Sequence, residues 1–416
     1  MNAAPEVPKR RRDVAAAALF VARLVYAFNW YNVGAVLPLI GASLHASTAE
    51  LGIVLGAFLV GVGAFQIPAG IAATRWNPRE VSMVGLAAMS AFCIASAFAP
   101  SWPLLALARF GAGVGAAFFF APALSLIAAY YAAGQRGLVV GMYNGGFSIG
   151  GAVGLFAGAA AGLAYGWPFA LGAGGVALAL STGITWALLP LPASVPRRHD
   201  LSSTLATSRR VLLSRSIWAL ALGLTGFWAA IYVVAQYFVK YAADVQPQWG
   251  LGVAAILSGV TVFASFPGGP VGGWLAERGM DRRWLVGVFG LATGLLVLAL
   301  PFTPLFALWP LFALLGLVDG IVFAVEYLIP AYLSDTAGEG VALGVAFINS
   351  LQVLIGSGIA IGFGFLAAAD GYLPAWIVIA VLTVGLLPLL AWVEPNRARG
   401  DATPRPTEVK PGGARG

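Results

Sequence analysis

Residues 70–81 read GIAATRWNPREV, and residues 273–284 read GWLAERGMDRRW. Each is a short polar break between long apolar runs. The second begins 203 residues after the first, which sets Arg75 on Arg278 and Arg79 on Arg282. GLVVG at 137–141 and GVALG at 340–344 keep the same 203-residue offset. Two distant anchors with one offset indicate a tandem duplication. An even number of membrane crossings per copy leaves both copies in the same orientation, a parallel repeat.

The flanking runs set the class. Of 416 residues, 60% are hydrophobic and 9% charged, whereas soluble domains carry roughly 25% charged residues. This is an all-α integral membrane protein. Splitting at charged and Pro/Gly-rich breaks gives twelve spans: 14–40, 49–73, 80–99, 103–131, 138–164, 168–191, 216–242, 250–275, 284–301, 305–333, 341–368 and 374–393. Each is near the ~20 residues a bilayer requires. Ser47 and Glu50 in STAE form a capping-box pattern at the start of the second. The expected organisation is a basic tail (1–13), a six-helix bundle (14–191), a linker (192–215), a second six-helix bundle (216–393) and a C-terminal tail (394–416).

Charge fixes the expected topology. The tails and alternate loops hold 20 of the 23 Lys and Arg, all on one side, and the opposite loops hold none. By the positive-inside rule both termini are cytoplasmic, in a plasma (inner) membrane. The apolar stretch after MNAAPEVPKRRRD exceeds 20 residues. A signal-peptide core is only ~7–15, so it reads as an uncleaved first span. The 192–215 linker is expected to be partly helical at the membrane surface.

Other chemistries find little support. Cys93 lies in an apolar segment and reads as a small buried hydrophobe. His45 and His199 fall in loops, and no CxxC or HExxH spacing occurs, so no metal or other cofactor is expected. No GxxxxGK[ST] loop is present. Nothing resembles a nucleophile or dyad constellation, so an enzyme is not expected, nor is a nucleic-acid or obligate protein partner.

These residues resemble the major facilitator superfamily, over about residues 14–394. The family's loop motif is G-x-L-A-D-R-x-G-R-[RK]. Gly273, Leu275, Ala276, Glu277, Arg278 and Arg282 fit it in the second half. Gly70, Ala73, Arg75 and Arg79 fit it in the first, where Thr74 replaces the acidic residue and implies a weaker cytoplasmic latch. RFGAGVG at 109–115 resembles the family's Arg-Gly motif. GMYNGGFSIGGAVG at 141–154 matches the glycines of its antiporter motif at Gly141, Gly150 and Gly154. Leu155 stands where that motif has proline, which weakens an exporter reading. Glycines 137, 141, 145, 154, 158 and 162 have small-xxx-small spacing, read as helix packing.

The resemblance implies that spans 1, 4, 7 and 10 line a central cavity. All five mid-span ionisable residues lie there: Arg23, Arg109, Lys240, Asp319 and Glu326. Such groups are functional candidates by default. Arg23 is about 13 Å along span 1, too deep to snorkel. Arg109 reads equally as a structural latch or a coupling residue. Lys240, near the outer end, has a surface partner four residues on in Asp244. Asp319 and Glu326 are seven residues apart and share a helix face. Either they form static ion pairs with Arg23 or Arg109, or they take up protons when dry and release them when hydrated or near a cation.

The candidate substrate-binding set is Arg23, Tyr26, Asn29, Trp30, Arg109, Tyr232, Gln236, Asn349 and Gln352, with Asp319 and Glu326 for proton coupling. Gly70, Arg75, Arg79, Gly273, Glu277, Arg278 and Arg282 are the candidate cytoplasmic gate. The expected function is a secondary transporter that imports a small organic anion with protons by alternating access. The rivals are a proton-coupled exporter of lipophilic compounds and a non-transporting sensor on the same fold.

Overall fold

The computed structural model describes residues 8–131, 133–190, 209–336 and 340–394. Among these there is no strand, and twelve helices are long and apolar enough to cross a membrane. They are α1 (Lys9–Leu44), α2 (Thr48–Arg75), α3 (Pro78–Ser96), α4 (Trp102–Tyr130), α5 (Ala133–Tyr165), α6 (Trp167–Leu188), α7 (Arg215–Val245), α8 (Leu251–Glu277), α9 (Arg282–Ala299), α10 (Leu305–Glu326), α11 (Gly340–Asp370) and α12 (Tyr372–Leu386). His199 and most of the 192–215 segment lie outside the described residues. The end bearing the Arg-rich loops is called the basic end below, and the other the far end.

Local chemistry sets the helix ends. Ser47 Oγ accepts from Glu50 N at 3.3 Å and Ser47 N donates to Glu50 Oε2 at 2.7 Å, the capping box read from the sequence. Gly166 and Gly371, at φ 86° and 87°, open α6 and α12 in equivalent places. Only glycine takes that conformation without strain. The tenth span differs from its sequence boundary. Its α-helix stops at Glu326, and a 3-10 turn follows at Ile329–Tyr332. Pro330 has no N–H for the Glu326 carbonyl, and its ring collides with that carbonyl.

The repeat is visible in space, with a one-residue shift. Asn77 Oδ1 caps α3 by accepting from Arg79 N at 3.0 Å; Asp281 Oδ1 caps α9 by accepting from Arg283 N at 3.1 Å. The Arg79 Nε donates to Leu189 O at 3.0 Å and its Nη2 to Trp186 O at 2.6 Å. Arg283 Nη1 donates to Val393 O at 2.9 Å. Arg283, not Arg282, therefore repeats Arg79. The added residue falls in the turn where Gly279 has φ 80°. Arg282 lies instead over the Tyr332 ring, 3.8 Å from its centroid. Arg79→Ala would strip the last turn of α6 of two charge-assisted bonds. Such bonds are worth about 1.5–3 kcal/mol each when well formed, and partial exposure reduces this. A stability loss of roughly 1–3 kcal/mol in all is expected, read as a lowered thermal midpoint.

Helices α1–α6 pack on one another, as do α7–α12, and a seam separates the sets. It is crossed by α1 on α7, α2 on α11 and α5 on α8. Glycines let α5 lie on α1. A Cβ on Gly150 would come 2.0 Å from Leu24 O, and one on Gly154 would come 2.5 Å from Phe28 O. Toward the far end the seam is tight: Gln236 Nε2 donates to Trp30 O at 2.9 Å, and Tyr232 to Leu55 O at 3.4 Å. Nearer mid-span, Ser350 Oγ donates to Gly63 O at 2.6 Å, and the Ser148 and Ser265 hydroxyls are 2.9 Å apart. Toward the basic end the seam loosens. α4 and α10 form no packed interface, and Gly137 and Gly141 have nothing within 4 Å of where a Cβ would sit. The packing reading of the small-residue spacing thus holds for Gly145 through Gly162 and fails at these two.

Candidate functional site

Arg23 projects from α1 and is 6% exposed. Its guanidinium carbon lies 4.5 Å from the ring centroid of Phe147, 4.6 Å from Phe120, 4.8 Å from Tyr26 and 5.2 Å from Tyr143. Cation–π contacts of about 0.5–2 kcal/mol each offset part of the cost of burying a guanidinium. Among the described residues it forms no ion pair, and its Nε and Nη1 have no hydrogen-bond partner. The Tyr26 hydroxyl, which lies in reach of Arg23, donates to Ala116 O at 3.5 Å. Trp30 stands edge-on to Phe58 at 4.7 Å and to Phe147 at 5.6 Å.

The two carboxylates lie on α10, across the seam. Glu326 is 2% exposed, and its Oε1 accepts from Gln352 Nε2 of α11. Asp319 is half-buried about two turns away on the same face. Among the described residues neither has a cation within salt-bridge distance, so the static pairs with Arg23 or Arg109 are not formed here. Tyr31 of α1 and Tyr327, just past α10, lie between the two sides. Tyr31 lies in reach of Asp319, Tyr232 and Arg23, and Tyr327 in reach of Glu326, Asp319 and Arg23. The Tyr327 hydroxyl donates to Asn349 Oδ1 at 2.8 Å.

Other candidates are committed elsewhere. Asn29 Nδ2 donates to Gly174 O of α6 at 2.8 Å and to Val25 O at 2.9 Å, away from the seam. Arg109 is enclosed by α1–α4: Nη2 donates to Asn29 O at 3.2 Å, Nη1 reaches Cys93 Sγ at 3.8 Å, and the guanidinium lies over Phe58 at 4.6 Å. Lys240 Nζ donates to Asp244 Oδ1 at 2.5 Å, and Tyr372 donates to Asp244 Oδ2 at 2.6 Å. That is the surface pairing its position suggests. Tyr232 and Gln236 are the far-end contacts already described. A far-end hollow of about 350 Å³, lined by Tyr241, Asp370 and Tyr372 among others, does not touch the seam cluster.

The candidate gate motif lies at the basic end. Arg75, Glu277 and Arg278 are exposed, and Arg278 sits 3.6 Å from the Trp274 centroid. Gly70 and Gly273 face open space. Tyr31, Phe120, Tyr143, Phe147 and Tyr327 were not singled out in the sequence. Aromatic residues are common in membrane spans, and only the neighbouring guanidinium distinguishes Phe120, Tyr143 and Phe147.

Residues 19–360 match the sequence profile of the Major Facilitator Superfamily. The "Probable L-galactonate transporter" of Escherichia coli (strain K12) is 25% identical over 65% of this chain and 64% of its own length. The "Membrane sensor protein UhpC" of the same organism is 27% identical over 62% of each. The chain thus spans less than two thirds of the length of these curated relatives. The crystal structure of a bacterial homologue of the human lysosomal transporter Spinster, inward-facing and occupied, superposes with a TM-score of 0.75. It covers 93% of this chain and 97% of that one, at 19% identity.

Proposed function

The chain belongs to the major facilitator superfamily, and on that premise we propose that it is a secondary active transporter of a small organic anion, coupled to protons. One observation carries this reading: a buried guanidinium on α1 with two unpartnered nitrogens and no carboxylate beside it. A carboxylate supplies the charge and acceptors it lacks. Asp319 and Glu326 face the same seam without cations, and a proton is the simplest way to neutralise them there. The name of the L-galactonate relative, an organic-acid transporter, is consistent with this chemistry.

In the proposed arrangement the basic end is cytoplasmic, in the plasma membrane. The tight far end and loose basic end then correspond to an inward-facing state. Transport requires the opposite state, with α5 closed against its neighbours near Gly141. Gly141→Leu therefore tests the motion. A leucine side chain fits the open space, so ligand binding and thermal midpoint are expected to stay near wild type, while exchange across proteoliposomes falls at least about tenfold. Wild-type exchange by this variant contradicts closure at that position.

The identifying experiment is a thermal-shift screen of purified protein against organic acids, sugars, amino acids and lipophilic cations across pH. Mass action raises the midpoint only for compounds that bind the folded state. Stabilisation by organic anions alone is expected. Stabilisation by lipophilic cations alone supports the exporter reading, for which the aromatic seam also speaks. The relation to the membrane sensor keeps a sensor reading in view; it expects binding without flux.

A further inference from the structure

Beside Arg23 lies a third polar group without a partner. The Tyr143 hydroxyl of α5 is buried, its residue 1% exposed, and it has no hydrogen-bond partner among the described residues. Its ring centre is 5.2 Å from the Arg23 guanidinium carbon. Buried hydroxyls in folded proteins are nearly always satisfied, so an orphan calls for a cause. Here three donors, Arg23 Nε, Arg23 Nη1 and the Tyr143 O–H, share one aromatic enclosure.

Building on the organic-anion reading above, we propose that Tyr143 and Arg23 together bind the solute's carboxylate, and that the solute is a monocarboxylate with a flat apolar body, such as an aryl group. The count of charges argues for one negative charge. Lys240 is neutralised by Asp244, and two of the three Arg109 nitrogens are spent on Asn29 and Cys93. Arg109 keeps its charge but is shut in among α1–α4, which leaves Arg23 to a ligand. A second carboxylate would be buried beside Asp319 and Glu326 without a counter-charge. The walls argue for the apolar body. Tyr143 stacks on Phe120 at 6.3 Å and 19°, and Phe147 and Trp30 close the other side. A sugar acid brings a hydroxyl on nearly every carbon, and each needs a partner in a dry site. Two of the hydroxyl-bearing pairs on the facing helices are engaged with each other: Tyr327 with Asn349, and Ser148 with Ser265.

The test uses the purified full chain with phenylglyoxylate (aryl monocarboxylate), galactonate (sugar acid) and succinate (dianion). Phenylglyoxylate is expected to raise the thermal midpoint, and the other two at equal concentration to leave it unchanged. Tyr143→Phe is expected to weaken phenylglyoxylate binding about tenfold, the worth of one hydrogen bond to a charged group. The ligand-free midpoint of that variant should stay the same or rise, because the change deletes an unpaired buried hydroxyl. That combination separates a binding role from a structural one. Wild-type affinity in Tyr143→Phe overturns the assignment of Tyr143. Stabilisation by galactonate or succinate but not phenylglyoxylate overturns the solute class. If either then binds through Arg23, lost in Arg23→Ala, the organic-anion reading survives while this one fails. If no anion binds and a lipophilic cation does, both fail.

Discussion

Arg23→Ala is expected to weaken organic-anion binding by at least about a hundredfold, and to remove measurable transport with it. The variant loses a buried cation that has no ion-pair partner among the described residues, together with two free guanidinium donors. Charge-assisted hydrogen bonds are worth about 1.5–3 kcal/mol each. Two of them correspond to roughly a hundred- to ten-thousandfold in affinity. Arg23→Lys separates charge from shape. Lysine keeps the charge but lacks the planar fork and stacks less well among four rings, so an intermediate loss of about tenfold is expected. Binding is read by titration calorimetry on protein whose thermal midpoint has been measured without ligand. Unchanged affinity in both variants refutes the anchor.

Glu326→Gln should uncouple transport. Glutamine matches the shape of a protonated glutamate and can still meet Gln352 of α11, but it exchanges no proton. Accumulation driven by a pH gradient is expected to fall more than about tenfold, while counterflow, which needs no net proton movement, stays within about twofold. Asp319→Asn is expected to act in the same direction. Because neither carboxylate has a cation partner among the described residues, these changes break no salt bridge. A loss of coupling therefore reports on protons rather than on a dissolved clamp. Full gradient-driven accumulation in both variants excludes them as the proton carriers.

Much of the fold is legible in the sequence because a bilayer imposes a length and an apolar background on every span. The same background exposes Arg23, Asp319 and Glu326, since an ionisable residue there stands out. What the sequence hides is direction. Asn29 and Trp30 are adjacent on α1, yet one amide turns to α6 and the neighbouring ring turns to Phe58 and Phe147. Arg109 looks like Arg23 in sequence, but its contacts hold α1, α2 and α3 to α4. Tyr143 is hidden for a different reason. One tyrosine in a glycine-rich span signals nothing until its hydroxyl is found unpaired beside a guanidinium. The end of α10 at Glu326 was readable, since Pro330 lies four residues on and removes the donor for that carbonyl. The offset between the halves was readable only to within a residue, because the extra residue at the Gly279 turn moves the cap without altering the flanking glycines.

The central claim is proton-driven movement of a small organic anion through the seam. Uptake into proteoliposomes of the labelled organic anion that most raises the thermal midpoint, expected to be phenylglyoxylate, with the outside acidified, tests it most directly. This strong acid has almost no neutral form to leak across lipid, so flux reports on the protein. The account predicts accumulation above the outside concentration, collapse of that excess when a protonophore is added, and its absence in Arg23→Ala. Uptake that stops at equal concentrations, ignores the protonophore, or matches protein-free vesicles contradicts it.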